Sequence, residues 1–197
     1  MKNWWKDEPL ILASASPRRR QLLEPLGIPF EVVTRPCVES ESTHLTACEL
    51  ARLNAHRKAS AVAALHPQRV ILGSDTVVSL DGVSFGKPND LVEAASMIQR
   101  LQGRTHEVVT GLCLLRRCPH RSHLFFERTF VTFRPLNAHQ IRRYLDVINP
   151  LDKAGAYAIQ EHGELIIERI QGSYTNVVGL PVERVESVLR QWCSGGE

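Results

Sequence analysis

The hydrophobic residues of this chain fall into short apolar runs that alternate with amphipathic segments, a pattern that predicts strands and helices within one α/β domain spanning residues 1–197. The clearest run covers residues 70–78, where apolar residues on both faces are typical of a central strand. The other predicted strands cover residues 10–13, 30–33, 106–115, 124–133 and 165–170. Helices are predicted at residues 17–26, 46–65, 90–102, 137–148 and 181–192, and a polar loop at residues 172–176.

Residues 10–23 are unusual because a buried strand runs directly into a helix that begins with arginines. Ser16 suits the N-cap, and Pro17 suits the first helical position. The arginines at positions 18–20 then occupy the positive end of the helix dipole, where cations are unfavourable. Free main-chain N–H groups, serine hydroxyls and guanidinium groups together suit a phosphate. The stretch alone leaves this interpretation open beside that of a capped surface helix with solvated arginines.

Asp75 interrupts the apolar strand at residues 70–78. An ionised carboxylate inside a buried strand costs several kcal/mol unless it is paired, hydrogen-bonded or metal-bound. Asp75 is therefore expected at a strand end or in a cleft, with a partner, and a functional role is favoured over a structural one.

Two lysines near this strand have both an ordinary and a functional interpretation. Lys58 lies at the margin of a stripe of small residues in the predicted helix 46–65, where a lysine is either solvated or directed at a ligand. Lys87 lies in a loop stiffened by Pro88, shortly after the Asp75 strand.

The composition narrows the classes of function. The formal net charge of +3 at pH 7 is too small to indicate nucleic acid or an anionic membrane as a partner. Residues 1–8 lack the apolar segment of a signal peptide, and no apolar run approaches the roughly 20 residues that span a bilayer. The five cysteines lack the spacing of metal ligands. A reduced, cytoplasmic protein is therefore expected.

Several short motifs, each weak by itself, follow one another along the chain. They read SASPRR at residues 14–19, GSDTVV at 73–78, GKP at 86–88, GRTH at 103–106, DKAGAY at 152–157 and VGLP at 178–181. In this order and spacing they resemble the Maf family of nucleotide pyrophosphatases over nearly the whole chain. The resemblance implies a Maf/ITPase-like α/β fold, in which a mixed central β-sheet is flanked by helices and a cleft lies between two lobes. It also implies hydrolysis of a nucleoside triphosphate to the monophosphate and pyrophosphate in a house-cleaning role, dependence on Mg²⁺ or Mn²⁺, and a homodimer.

The substrate branch follows from two further positions of the resemblance. The branch that acts on dTTP and UTP carries Asp-Thr in the middle motif and a glutamine shortly after Gly-Ala-Tyr, as this chain does with Asp75, Thr76 and Gln160. The 7-methyl-GTP branch typically has Asp-Gln and a glutamate in those places. The chain therefore resembles the dTTP/UTP type. Two departures, Glu161 directly after Gln160 and Asn149 in place of a common acid, lie near the expected base-recognition region.

A triphosphate requires cations and N–H donors more than a strong nucleophile. We expect Arg18, with Lys58 and Lys87, to clamp the phosphate chain, and serine hydroxyls with the amides of the helix start to supply hydrogen bonds. The complete set of expected substrate-binding residues is Ser14, Ser16, Arg18, Arg19, Lys58, Thr76, Lys87 and Gln160.

Asp75 is expected to accept the proton of the attacking water, as the family assigns, and to share Mg²⁺ or Mn²⁺ with Glu39, since oxygen ligands suit a hard cation. These two roles compete, because a metal-bound carboxylate is a weaker base; water activated by the metal would reconcile them.

Gln160 is expected to read the pyrimidine edge that carries an imide N–H between two carbonyls, which uracil and thymine share and cytosine lacks. Thr76 is harder to place, because on a regular strand it points away from Asp75. Both side chains can face one pocket if the strand bends, for instance near Gly73, or if Thr76 acts through its main chain.

Two other functions remain open at this point. One is pyrophosphatase action on 7-methyl-GTP or other modified nucleotides. The other is a non-catalytic nucleotide or nucleic-acid binding protein linked to cell division, a role associated with some Maf-like proteins.

Overall fold

The computed structural model describes residues 8–40 and 42–194. The strands are β1 Leu10–Ala13, β2 Phe30–Val32, β3 Ile71–Leu80, β4 Val83–Phe85, β5 Thr105–Arg116, β6 Arg121–Phe133 and β7 Ile167–Gln171. The helices are α1 Pro17–Leu23, α2 Ala47–Ala63, α3 Leu91–Leu101, α4 Ala138–Leu145, α5 Tyr174–Val178 and α6 Val182–Ser194. Among the described residues, no helix combines the length and apolar character needed to cross a membrane.

The strands form one mixed sheet in the order β2-β1-β3-β5-β6-β7, with β4 beside β3. β1 runs parallel to both β2 and β3, whereas β3, β5, β6 and β7 pair antiparallel in turn. The predicted α/β fold with a mixed central sheet is therefore confirmed, and the strand at residues 70–78 is central, with neighbours on both sides.

Strand β3 has an open edge in its middle. β1 pairs with β3 only as far as Ala13 opposite Gly73, and β4 pairs with the same side of β3 from Val78 opposite Phe85 onward. Residues 74–77 thus have a strand neighbour on the β5 side alone. This interruption creates a notch in the sheet, and the cleft described below opens there.

Two hydrophobic clusters lie on either side of this notch. In one, β1 and the first part of β3 pack with α6, as seen from Leu12, Leu72 and Trp192. In the other, the end of β3 packs with α3 and α4, as seen from Val78 and Tyr144. The expected cleft between two lobes is therefore confirmed.

Helix α2 packs unusually close to the opposite side of this sheet. A Cβ atom added to Gly73 would lie 2.2 Å from the carbonyl oxygen of Ala55, and one added to Gly111 would lie 2.2 Å from the carbonyl carbon of Ala51. The stripe of small residues predicted for α2 is the surface that makes this contact, with Ala51, Ala55 and Ala59 fully buried. Because α2 lies so close to the sheet, the polar side chains beside this stripe can contact residues of β3.

Three local predictions need correction. Residues 172–176 are not all loop, because Ser173 caps α5 by accepting a hydrogen bond from the Asn176 N–H. The last predicted strand begins later, at Ile167, because residues 163–165 form a 3₁₀ turn. Ser16 occupies the N-cap of α1 as predicted, yet its side chain makes no capping hydrogen bond.

We expect Gly111→Ala to lower the free energy of unfolding by about 1–3 kcal/mol or more, because the new methyl group overlaps the α2 main chain. Gly86→Ala is the matched control, since a Cβ there meets no atom within 4 Å and should change stability by less than about 1 kcal/mol. Urea denaturation of the variants measures both effects. Equal midpoints for Gly111→Ala and the unsubstituted protein would contradict this account of the helix contact.

Candidate active site

A cleft of about 970 Å³ opens at the notch beside β3. Nearly all residues expected to bind substrate or metal line it, namely Ser16, Arg18, Arg19, Glu39, Lys58, Asp75, Thr76, Lys87 and Gln160. Ser14 is the exception, since it is buried behind the cleft wall. The fold thus brings together segments that lie far apart in the sequence.

Asp75 lies on the face of β3 that α2 covers, and it is 7% exposed. Lys58 Nζ lies 2.6 Å from its Oδ1 oxygen, and Asn54 donates from Nδ2 to its Oδ2 oxygen at 3.2 Å. Both donors come from consecutive turns of α2. Each carboxylate oxygen therefore has one protein donor and a remaining lone pair directed elsewhere.

Lys58 also lies 3.1 Å from Glu39 Oε2, so its ammonium group bridges the two acids expected to hold a metal. Within residues 8–40 and 42–194, no group of three or more His, Cys, Asp or Glu side chains is disposed to hold a metal by itself. Two carboxylates nevertheless suit Mg²⁺ or Mn²⁺, because such ions commonly take one or two protein carboxylates and complete their shell with substrate phosphates and water. The donor set thus fits an ion bound together with the nucleotide.

Arg19 is buried and holds three segments together. Its Nε donates to the Gly179 carbonyl at 2.9 Å, Nη1 to Ser14 Oγ at 3.1 Å and Nη2 to Thr76 Oγ1 at 2.9 Å. None of the described carboxylates forms an ion pair with it. Burial lowers the pKa of the guanidinium below its ordinary value, and the charges of Asp75 and Glu39 act against that shift.

Arg18 is directed differently from its neighbour. Its Nη1 lies 3.1 Å from Asp152 Oδ2, and this carboxylate also binds Lys153 Nζ at 2.8 Å. Lys153 is 4% exposed and reaches Glu161 Oε1 at 3.2 Å. Burial by itself raises the pKa of Asp152, but the hydrogen bond and charge of Lys153, with the charge of Arg18, bring it below its ordinary value. An ionic chain therefore connects Arg18 to the residue beside Gln160.

Thr76 borders the cleft without any bend in the strand. β3 pairs with β5 in continuous register from Ile71 to Ser79, with no bulge that would turn both side chains to one face. Thr76 Oγ1 bonds to Arg19 and Thr110 on the face opposite Asp75, as the strand period requires. Side chains on both faces of β3 border the cleft because none of the described strands pairs with this edge of β3 at residues 74–77. The Val70 carbonyl faces β1, so alternation along β3 also turns the main-chain groups of Thr76 toward this edge.

Lys87 and Gln160 approach the cleft from two loops that are tied together. The Gly155 N–H donates to the Gly86 carbonyl at 3.0 Å, which fixes the lysine loop against residues 152–157. Gly155 has a φ of +70°, and a side chain there would crowd Val78, so glycine suits this contact. Both Lys87 and Gln160 are exposed in the cleft.

His106, the last residue of the motif at residues 103–106, has a structural role near the same loop. His106 is buried, packs edge-on against Phe133 and places Nε2 at 2.8 Å from the Tyr157 hydroxyl. Burial lowers the pKa of His106 to about 4, so the ring is neutral at pH 7. Tyr157 lines the cleft, and the histidine therefore anchors part of its wall.

Sequence reasoning missed Asn54 as a partner of Asp75 and gave Asp152 and Lys153 no specific contact. Asn54 did carry a signal, because it is a polar residue one helical turn before Lys58 and beside the buried small-residue stripe. The ionic contacts of residues 152 and 153 had no such signal, since their partners are distant in the sequence.

We expect Arg19→Lys to lower the free energy of unfolding by about 1–3 kcal/mol, because one ammonium group cannot replace the three-way contact of the guanidinium. Arg20→Lys is the control on the same helix, where Arg20 is exposed and pairs with Glu24, and it should stay within about 0.5 kcal/mol. Chemical denaturation tests both. If Arg19→Lys proves as stable as Arg20→Lys, the contacts of Arg19 are not structural.

Comparison with known proteins shows which family this chain is similar to. The sequence model described as "Maf-like protein" matches residues 9–192. A dTTP/UTP pyrophosphatase of Bacillus cytotoxicus is 44% identical over 185 residues, which cover 94% of this chain and 96% of that protein. Proteins of the same name from Akkermansia muciniphila and Pelotomaculum thermopropionicum are 46% and 42% identical, over 92% and 93% of this chain and 95% and 96% of their own lengths.

A solved structure, the Ham1 protein of Staphylococcus aureus, resembles this fold with a TM-score of 0.52 at 14% sequence identity. The likeness covers 94% of this chain and 100% of that one, and at such low identity it bears on the fold alone. The sequence match, by contrast, extends over nearly all of the chain with relatives above 40% identity. The chain therefore belongs to the Maf family.

Proposed function

We propose that this protein is a nucleoside triphosphate pyrophosphatase that converts dTTP and UTP to the monophosphate and pyrophosphate. The observation that carries the proposal is the placement of Asp75 in a cleft where Lys58, Arg18 and Lys87 supply positive charge. The relatives named dTTP/UTP pyrophosphatase support the same reaction.

The phosphate chain is expected to lie between the α1 side of the cleft and the Lys87 loop. Arg18 offers a planar pair of N–H donors, of which Nη1 now donates to the Asp152 carboxylate and Nη2 to the Asp152 main-chain carbonyl; a phosphate presents oxygen acceptors that suit the same pair. Lys87 lines the same cleft, and the buried charge of Arg19 adds positive potential there. These groups stabilise the charge of the leaving pyrophosphate as it separates.

Asp75 is the general base of the proposed reaction. It accepts a proton from a water whose oxygen bonds to the α-phosphorus, while the bond from that phosphorus to the α–β bridging oxygen breaks and pyrophosphate leaves with the electron pair. Glu39 and Asp75 would hold the Mg²⁺ or Mn²⁺, whose contribution is to neutralise phosphate charge and to lower the pKa of nearby water. Lys58 keeps the two acids together and limits their repulsion.

Gln160 is the proposed reader of the base. Its amide supplies both a donor and an acceptor, which match the imide N–H and a flanking carbonyl of uracil or thymine. Cytosine presents a ring nitrogen acceptor and an amino group at that edge, so the same amide meets a different pattern.

A homodimer and a cytoplasmic location complete the proposal. Both are supported by the family resemblance, and the cysteines at positions 37, 48, 113 and 118 are free, as in a reducing compartment.

We expect a panel of UTP, dTTP, CTP and 7-methyl-GTP with Mg²⁺ or Mn²⁺ to show pyrophosphate release that is at least about tenfold faster for UTP and dTTP than for the others. A coupled assay for inorganic pyrophosphate provides the measurement. Preference for 7-methyl-GTP would overturn the assigned specificity. Absence of pyrophosphate from every triphosphate would favour the non-catalytic binding protein instead.

We expect Asp75→Asn to lower kcat by about 10²–10⁴-fold with little change in nucleotide binding, because the amide cannot accept the proton. Asp81→Asn is the matched control at the end of the same strand, where Asp81 pairs with Arg104 on the surface. Steady-state kinetics and equilibrium dialysis with UTP separate catalysis from binding. Near-normal kcat in Asp75→Asn would rule out the general-base assignment.

A further inference from the structure

Asn54 is a buried amide in the middle of α2, and it contacts both the candidate base and the loop that carries Glu39. We propose that Asn54 is a positioning residue for the hydrolysis reaction, which holds the Asp75 carboxylate in one orientation and fixes the Glu39 loop relative to it. The inference rests on the proposed function and assigns Asn54 a part in it.

The Asn54 side chain makes three hydrogen bonds, which use both of its N–H groups and one lone pair of its oxygen. Its Oδ1 accepts from the Ser40 N–H at 2.7 Å, and its Nδ2 donates to the Ser40 carbonyl at 3.1 Å and to Asp75 Oδ2 at 3.2 Å. Because the Ser40 main chain needs one acceptor and one donor, these contacts also determine which way the amide faces. No rotation of the side chain keeps all of these bonds.

An asparagine is an unfavourable choice at this position for reasons of stability alone. Asn54 is 3% exposed and lies beside the alanines that pack on the sheet. Asparagine forms helix less readily than leucine or alanine, and a buried amide costs stability unless its polar atoms are paired. An apolar side chain would suit packing on the sheet alone, whereas the amide adds contacts with the Ser40 main chain and with Asp75.

Those contacts complement the contacts of Lys58. Lys58 binds Asp75 Oδ1 and also reaches Glu39, so its flexible side chain can divide between two acids. Asn54 binds the other oxygen of Asp75 from a short, fully constrained side chain. The two donors together set the plane of the carboxylate, while the Ser40 contacts hold the residue next to Glu39. The Asn54 side chain thus fixes the position of Asp75 relative to Glu39.

The test is Asn54→Leu, which keeps the branching and the number of heavy atoms of the side chain and removes all of these hydrogen bonds. With UTP or whichever triphosphate the unsubstituted protein cleaves fastest, we expect kcat to fall by about tenfold to hundredfold and KM to change by less than about threefold. Asn54→Ser is a second variant, since its small polar side chain is tolerated in a buried site but cannot make the same contacts, and it should show the same loss of kcat. Circular dichroism and denaturation midpoints establish that each variant is folded.

Arg57→Ala is the matched control. Arg57 lies on the same helix and also binds the Glu39 loop, through the Val38 carbonyl at 3.1 Å, but it does not contact Asp75. We expect its kcat to remain within about twofold of the unsubstituted value. Equal losses of kcat in Asn54→Leu and Arg57→Ala would overturn the positioning role in favour of loop docking alone.

An unchanged kcat in both folded Asn54 variants would also overturn the positioning role while leaving the proposed function intact. A protein that releases no pyrophosphate before any substitution would instead overturn the proposed function, and the role of Asn54 with it.

Discussion

The close approach of α2 to the sheet is the constraint on which the candidate active site depends. At Gly73 and Gly111 no side chain separates the helix from the strands, and the helix packs against them through alanines. At this separation Lys58 contacts Asp75, and so does Asn54, whose short side chain requires the close approach. The contacts between these glycines and alanines therefore fix the distance from Asp75 to Asn54 and Lys58.

The cations of the cleft are already in contact with acids of the same cleft. Lys58 is shared between two acids, and Arg18 is held by Asp152. Arg19 has no carboxylate partner among the described residues, and its buried charge reaches the cleft at short range. A polyanion entering here meets preorganised cations, with the acids beside them already paired. In the proposed reaction, such an arrangement would limit repulsion between the substrate and the Asp75 and Glu39 carboxylates.

Local periodicity was sufficient for most strands and helices, and the family motifs were sufficient for most of the residues expected in the cleft. Asp75 was identifiable as a buried carboxylate that needs a partner, and the structure supplies Lys58 and Asn54. The distinct environments of Arg18 and Arg19 were not identifiable, since adjacent arginines look alike until the contacts of Gly179 and Asp152 are known. The position of Thr76 depended on where β1 and β4 stop pairing with β3, which is a property of three segments together.

The pairing of Asp75 with Gly111 has a consequence for how this chain can vary. At this position of the ladder, the Asp75 side chain on β3 meets its donors, and the missing side chain at Gly111 on β5 leaves room for α2. A shift of register by one residue would either turn Asp75 to the opposite face, if β3 moved, or place Thr110 or Leu112 under the helix, if β5 moved. Insertions and deletions within these two strands are therefore excluded on grounds of folding and of chemistry at once.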